Sequence, residues 1–305
     1  MIKRGFKAIG LVFVFGLSLS SLYLVNLFVM KPVSIDHFLN KELLTGLADS
    51  PEAMTYLGIF DQFNWFTKHN SKLSIPNPED NQADIKDAKK TLKILNKYKD
   101  SSLSDNQKIT KSIAIFDTEN NLRQLEEFPY HDYPLNQVRG VHHNIISFMS
   151  DMHPIRDYSE AKDFIKRTDL VIDVYSGQLD WLEKQAAEGI YAPEFVYAHL
   201  IKQLNELINY SFEEHPLYTQ FIKKAALLDI TDDGLASLGA DLKSSIEKSV
   251  TPGFVLLRDF MVSTRDSANP HHGIWSQPNG DEFYKLQIRS YTTTDYSPEK
   301  IHNIG

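Results

Sequence analysis

Apolar positions along residues 32–305 recur mostly at helical intervals. Ile109, Ile113 and Phe116 fall on one face of a predicted helix, and Ser104-Asp105-Asn106-Gln107 opens it as a capping box. Ser34 or Asp36 can cap HFLNKELLTGLA. Residues 70–82, with Pro76 and Pro78, read as a loop before AKKTLKILNKY. Residues 127–144 carry two prolines, a glycine and little periodicity, which predicts an irregular segment. HNIISFMSDM forms a short helix stopped by Pro154. The longest helical candidate runs from Ser159 to Gly189, with Phe164, Leu170, Val174, Trp181 and Leu182 as apolar positions and Gly189 as the C-cap. Pro193 opens a helix in which Phe195, Leu200, Leu204 and Ile208 recur. PLYTQFIKKAALL is a further helix. Asp232 or Asp233 can cap LASLGADLKSSIEKSV, and Pro252 is expected to break or kink the path before FVLLRDFMVSTR. Short β-branched stretches such as SIAIF lie inside helix-period patterns. The predicted class is all-α, one helical domain over 32–305, with no repeat and no long linker.

The first thirty residues differ in kind. Ala8 to Met30 is an uncharged run of 23 residues. At 1.5 Å per residue it reaches about 35 Å, enough to cross a hydrocarbon core of about 30 Å. Lys3, Arg4 and Lys7 precede it, and no acidic residue occurs before Asp36. That bias keeps the N-terminus in the cytoplasm. Residues 1–31 are therefore expected to be a signal anchor, with 8–30 in the inner membrane and the main domain in the periplasm or outside the cell. Cleavage after Ser18-Leu19-Ser20 and secretion is the alternative, but LYLVNLFVM would then be exposed.

Composition narrows the chemistry. Formal net charge is −8, and without the three leading cations it is −11, with 29 basic and 40 acidic residues. No Lys/Arg stripe interleaves with aromatics, so nucleic acid is not an expected partner. The absence of cysteine excludes disulfides, thiolate metal sites and a lipobox anchor. None of the 11 histidines is followed by glutamate, so His-Glu-x-x-His is absent, as is its inverted form. No nucleophile elbow or phosphate loop occurs. Thr231-Asp232-Asp233-Gly234 is a turn and cap, not a calcium loop. The rings of His142 and His143, adjacent in sequence, are expected to diverge and not to share a metal. Glu126-Glu127 reads as a solvated face.

Three stretches carry a resemblance. They are FPYHDYPLNQVRGVHHNIISFMSDMHPI (128–155), EGIYAPEFV with HPLYTQF (188–196 and 215–221), and GIWSQPNGDEFYKLQIRSYTTTDYSPEKIHNIG (273–305). Together they resemble the bacterial family labelled domain of unknown function eight-eight-five. The resemblance implies a largely helical, zinc-metallopeptidase-like protein, exported or lipid-anchored. In that family the stretch resembling residues 292–305 leads into a long helix, and the His-Glu metal motif follows. This chain therefore resembles the N-terminal half. It is expected to hold no cofactor of its own, with zinc implied for the full-length relative. Neither a catalytic residue nor a metal ligand is assigned. The candidates for contact with a peptide substrate are Tyr130, Asn136, Gln137, His142 and His143 in one irregular segment, and Tyr291, Thr293, Asp295 and His302 in another. A shortened, non-catalytic helical binding module is the competing expectation.

Overall fold

The computed structural model describes Tyr23 and residues 32–305. The anticipated anchor, residues 8–30, lies outside these apart from Tyr23. Among the described residues no helix is long and apolar enough to cross a membrane. The described chain is all-α, and its only extended pairing is a parallel bridge between Pro193 and Asn269.

Two compact units divide the chain. The described part of the first comprises Tyr23 and residues 32–49 and 86–122. It holds α1 (Ile35–Ala48), most of α4 (Asn81–Leu95) and most of α5 (Asp105–Glu127). Ser34 caps α1 by accepting from the Asp36 amide. The capping box at α5 forms as the spacing predicts: Ser104 Oγ accepts from Gln107 N at 3.3 Å, and Gln107 Oε1 accepts from Ser104 N at 3.0 Å. Ile35, Phe38, Leu95 and Tyr98 make a small core, with the Tyr98 hydroxyl donating to the Pro32 carbonyl at 2.7 Å. Ile109 and Ile113 share a face of α5, but it remains 60% and 56% exposed, so periodicity marked a helix there without marking a core.

The second unit comprises residues 50–85 and 123–305. It begins with α2 (Pro51–Leu57) and the short α3 (Asn64–Thr67). Its main core is built by α7 (Tyr158–Asp169), α8 (Val171–Ala187), α9 (Glu194–Ile208), α10 (Pro216–Ala225), α11 (Asp232–Ser245) and α12 (Thr251–Thr264). α9 and α8 both pack on α12, and α7 packs on α11. Phe164, Tyr175, Leu200, Leu204, Phe221, Leu242 and Phe254 are buried there at 1% exposure or less. The remaining helices are α6 (Val141–Ser147), α13 (Gly280–Thr292) and α14 (Pro298–Ile304). Ser297 caps α14 by accepting from Lys300 N, with Pro298 at its first position, as the local pattern dictates.

Three local readings are corrected. The long helix expected over 159–189 is broken at Leu170. One hydroxyl explains the break: Ser249 Oγ donates to the Asp169 carbonyl at 3.0 Å and accepts from Ile172 N at 2.9 Å. It satisfies the end of α7 and the start of α8 together. The cap of α11 is Thr231, which accepts from Gly234 N, and Asp232 and Asp233 lie in the first turn. Pro252 does not end the path either. A π-helical turn, Ile246–Val250, joins α11 to α12, and Pro252 sits at the start of α12, where its missing N–H matters least.

α8 approaches the 70–82 loop at Gly177, where a Cβ would lie 2.1 Å from the Pro76 carbonyl oxygen. A backbone oxygen cannot swing aside as a side chain does. Gly177→Ala is therefore expected to lower unfolding stability by about 1–3 kcal/mol, read as a lower urea midpoint at unchanged m-value.

Candidate functional site

The irregular segment after α5 folds onto the turn before α13. Phe128 packs against Phe283 with ring centroids 5.5 Å apart, and Leu286 completes this small apolar cluster. His131 Nε2 lies 2.7 Å from the Pro278 carbonyl. The carbonyl can only accept, so Nε2 carries the proton and Nδ1 is the acceptor in the neutral ring. His131 is 6% exposed, and Nδ1 is buried without a partner. Gln185 Nε2 donates to both the Tyr130 and Asp132 carbonyls at 2.7 Å. Gln277 donates to the Tyr133 hydroxyl. Asn279 holds a left-handed backbone (φ 54°), and at Gly280 an added Cβ would overlap the Ile274 carbonyl, so the Pro278-Asn279-Gly280 turn is tightly specified.

Between these pieces lies a pocket of about 270 Å³. Glu126, Glu127, Tyr130, His131, Glu188 and Asn279 line it. Glu127 is engaged by Arg123, whose Nε donates to both its oxygens at 3.2 and 3.1 Å. The carboxylates of Glu126 and Glu188 with the Tyr130 hydroxyl still make the lining rich in acceptors, suited to a ligand that presents N–H donors or a positive charge. Tyr130 stands edge-on to Trp181, with centroids 5.2 Å apart.

Of the predicted contact residues, only Tyr130 lines this pocket. Asn136 orders its own loop: Oδ1 accepts from the amides of Val138 (3.0 Å) and Arg139 (2.8 Å). Gln137 offers its carbonyl to Gln203 Nε2 at 3.2 Å. His142 is wholly buried in the first turn of α6, its Nε2 3.4 Å from Gln203 Oε1. Burial holds its pKa down to about 4, aided by the neighbouring His143. The rings of His142 and His143 do not diverge as adjacent helical positions suggest; their centroids are 4.2 Å apart at the start of the helix.

The second group begins in the last turn of α13 and continues beyond it, roughly 20 Å along a helix of 13 residues from Asn279. Tyr291 is 86% exposed. Thr293 takes a left-handed backbone (φ 54°) as the C-cap of α13. Asp295 accepts from Arg289 Nε at 2.9 Å, and His302 is exposed on α14. The fold does not bring the two groups together.

Sequence reasoning missed His131, Glu188 and the pocket role of Glu126 and Glu127. The only available signal was Pro278-Asn279-Gly280, a turn signature able to bring a backbone carbonyl close to another segment. It also missed a buried polar knot around Arg167, which is 0% exposed. Arg167 donates to the Lys72 carbonyl (2.7 Å), Thr55 Oγ1 (2.9 Å), the His69 carbonyl and His153 Nδ1 (3.0 Å).

Among the described residues no group of three or more His, Asp or Glu side chains is placed to hold a metal ion. The donor set therefore does not fit a catalytic zinc, which needs three converging protein ligands.

Comparison with known proteins places the chain. A family model described as "Bacterial protein of unknown function (DUF885)" matches residues 51–305. Among solved structures, a candidate lipoprotein from Colwellia psychrerythraea has the same fold, with a TM-score of 0.70 at 20% identity. The match covers 85% of this chain and 46% of that one, so the matched part spans less than half the length of its solved neighbour. No curated protein matches.

Proposed function

The chain belongs to the bacterial DUF885 family, and on that premise we propose that it is the N-terminal, substrate-contacting half of an extracytoplasmic, membrane-tethered protein of the zinc-metallopeptidase type. The observation that carries the reading is the family match over 51–305, joined to a shared fold in which these residues correspond to 46% of a longer chain. The lipoprotein description of that neighbour supports an extracytoplasmic, membrane-associated setting, as do the uncharged run 8–30 and its basic flank.

In a metallopeptidase a zinc ion supplies an activated water. The residues described here do not converge on such an ion, so no step is derived through it. Their contribution is the wall. The pocket lined by Glu126, Glu188 and Tyr130 presents acceptors to the N–H groups or the ammonium end of a peptide.

The purified chain is expected to retain far less than one zinc per chain after gel filtration, and to leave a mixed peptide pool uncut. Stoichiometric zinc, or peptide hydrolysis that persists in metal-free buffer, would overturn this assignment.

A second reading is a non-catalytic helical binding module, supported by the pocket at Tyr130 with Trp181 beside it. Trp181 beside Tyr130 gives the discriminating signal. Under this second reading a short unblocked peptide perturbs Trp181 emission and stays intact even when a segment bearing the His-Glu motif is supplied. Under the first, the supplied segment restores cleavage.

A further inference from the structure

The second unit displays a dense run of exposed apolar side chains close to its start. Between residues 56 and 66, Tyr56 (66%), Leu57 (49%), Ile59 (54%), Phe63 (46%), Trp65 (77%) and Phe66 (75%) are all open to solvent. The Trp65 and Phe66 rings lie 5.9 Å apart. Soluble surfaces scatter such residues singly; six within eleven positions form a patch that calls for a partner.

The charges around it are arranged to keep the patch apolar. Asp61 is the only charged residue between 56 and 66, and it is turned to Arg156, with Oδ2 2.8 Å from the guanidinium. Immediately beyond, Lys68 and Lys72 are exposed. Residues 56–66 are thus rich in Trp, Tyr and Phe and free of unpaired anions, and two exposed lysines follow them in sequence. That composition suits the boundary between lipid headgroups and acyl chains, where amphipathic rings settle and lysines meet anionic phosphates. The length of chain outside the described residues names the occupant. It ends at Lys31 and contains the uncharged run 8–30, so only 25 residues separate Met30 from Tyr56.

We propose that residues 56–66 are a second membrane contact: Trp65, Phe66 and Phe63 insert into the interface of an anionic bilayer while Lys68 and Lys72 face its phosphates. This rests on the membrane-tethered reading above.

The test uses the full chain reconstituted with phosphatidylethanolamine–phosphatidylglycerol vesicles. The chain has three tryptophans. Replacing two of them by phenylalanine yields a variant reporting only Trp65 and another reporting only Trp275, which is 60% exposed on a different segment. Flotation with the vesicles reports the tether, and quenching by acyl-brominated lipid reports the patch. The expected result is flotation with Trp65 emission blue-shifted and at least halved by brominated lipid, while Trp275 is unaffected. Flotation with Trp65 quenched only by aqueous iodide, or shielded from both quenchers as a protein-covered surface would be, overturns the second contact and leaves the tether standing. No flotation overturns both. Phe66→Ser in the Trp65 reporter should reduce the lipid quenching; unchanged quenching would also count against the contact.

Discussion

Arg167→Met is expected to lower unfolding stability by about 3 kcal/mol or more. The guanidinium is fully buried and donates to four acceptors, two of them main-chain carbonyls of residues 69 and 72. Methionine fills part of the volume and leaves the His69 and Lys72 carbonyls facing apolar surroundings. Each buried polar group left unpaired costs about 1–3 kcal/mol. Relief of arginine's own desolvation, which depresses its pKa to about 10, offsets part of that loss but does not restore a donor. Arg167→Lys keeps the charge without the planar fork and should fall between wild type and methionine. A urea titration of the three proteins checks the order; a methionine variant as stable as wild type would show that the carbonyls find other donors. The same contacts imply where the damage begins. Lys72, His69 and Thr55 come from the segment that α7 holds in place across 95 to 112 residues of sequence, so protection from hydrogen exchange should drop there first.

Acid is expected to unfold the second unit between pH 6.5 and about 4. Burial lowers the pKa of His142 and of His215 to about 4, and pushes that of His153 well below its ordinary value, with Arg167 adding to the effect. His215 shows the geometric cause. Its Nδ1 accepts from Leu217 N at 3.2 Å as the N-cap of α10, so a proton there would break the cap. The sign follows from which state takes the proton. Above about pH 6.5 the rings are neutral in both states and the full contribution is present. As pH falls through the window, the unfolded chain binds protons that the native rings exclude, and stability is lost. At 1.36 kcal/mol per pH unit, the gap from 6.5 to about 4 amounts to roughly 3 kcal/mol for each of His142 and His215. Together that rivals the total stability of a typical domain, about 5–15 kcal/mol. His215→Asn retains a capping acceptor and removes one titrating site, so its acid midpoint should move to lower pH. Far-UV circular dichroism from pH 8 to 4 reads both proteins; coincident midpoints would exclude His215 as a contributor.

The division between local and distant information runs through particular residues. Ser34, the Ser104–Gln107 box and Ser297 with Pro298 could be read directly, because a helix start is decided by groups within four positions of one another. The helical class followed from the same short-range periodicity. The break at Leu170 could not be read, because its cause is Ser249, 77 residues from the amide it completes. Arg167 sits in a helix whose pattern suits a surface cation, and only the docking of residues 55–72 turned it inward. Ile109 and Ile113 err the other way, apolar in pattern and exposed in place.

The site divides likewise. Sequence alone carried the family likeness in the stretches 128–155, 188–196 with 215–221, and 273–305, and placed Tyr130 among the candidate contact residues. Only the tertiary structure brought the His131 ring to the Pro278 carbonyl, 147 residues away, and turned Glu126, Glu127 and Glu188 toward a common pocket. Backbone conformation answers to neighbours along the chain. Burial, imidazole basicity and the convergence of acceptors answer to neighbours in space, which no window of sequence contains.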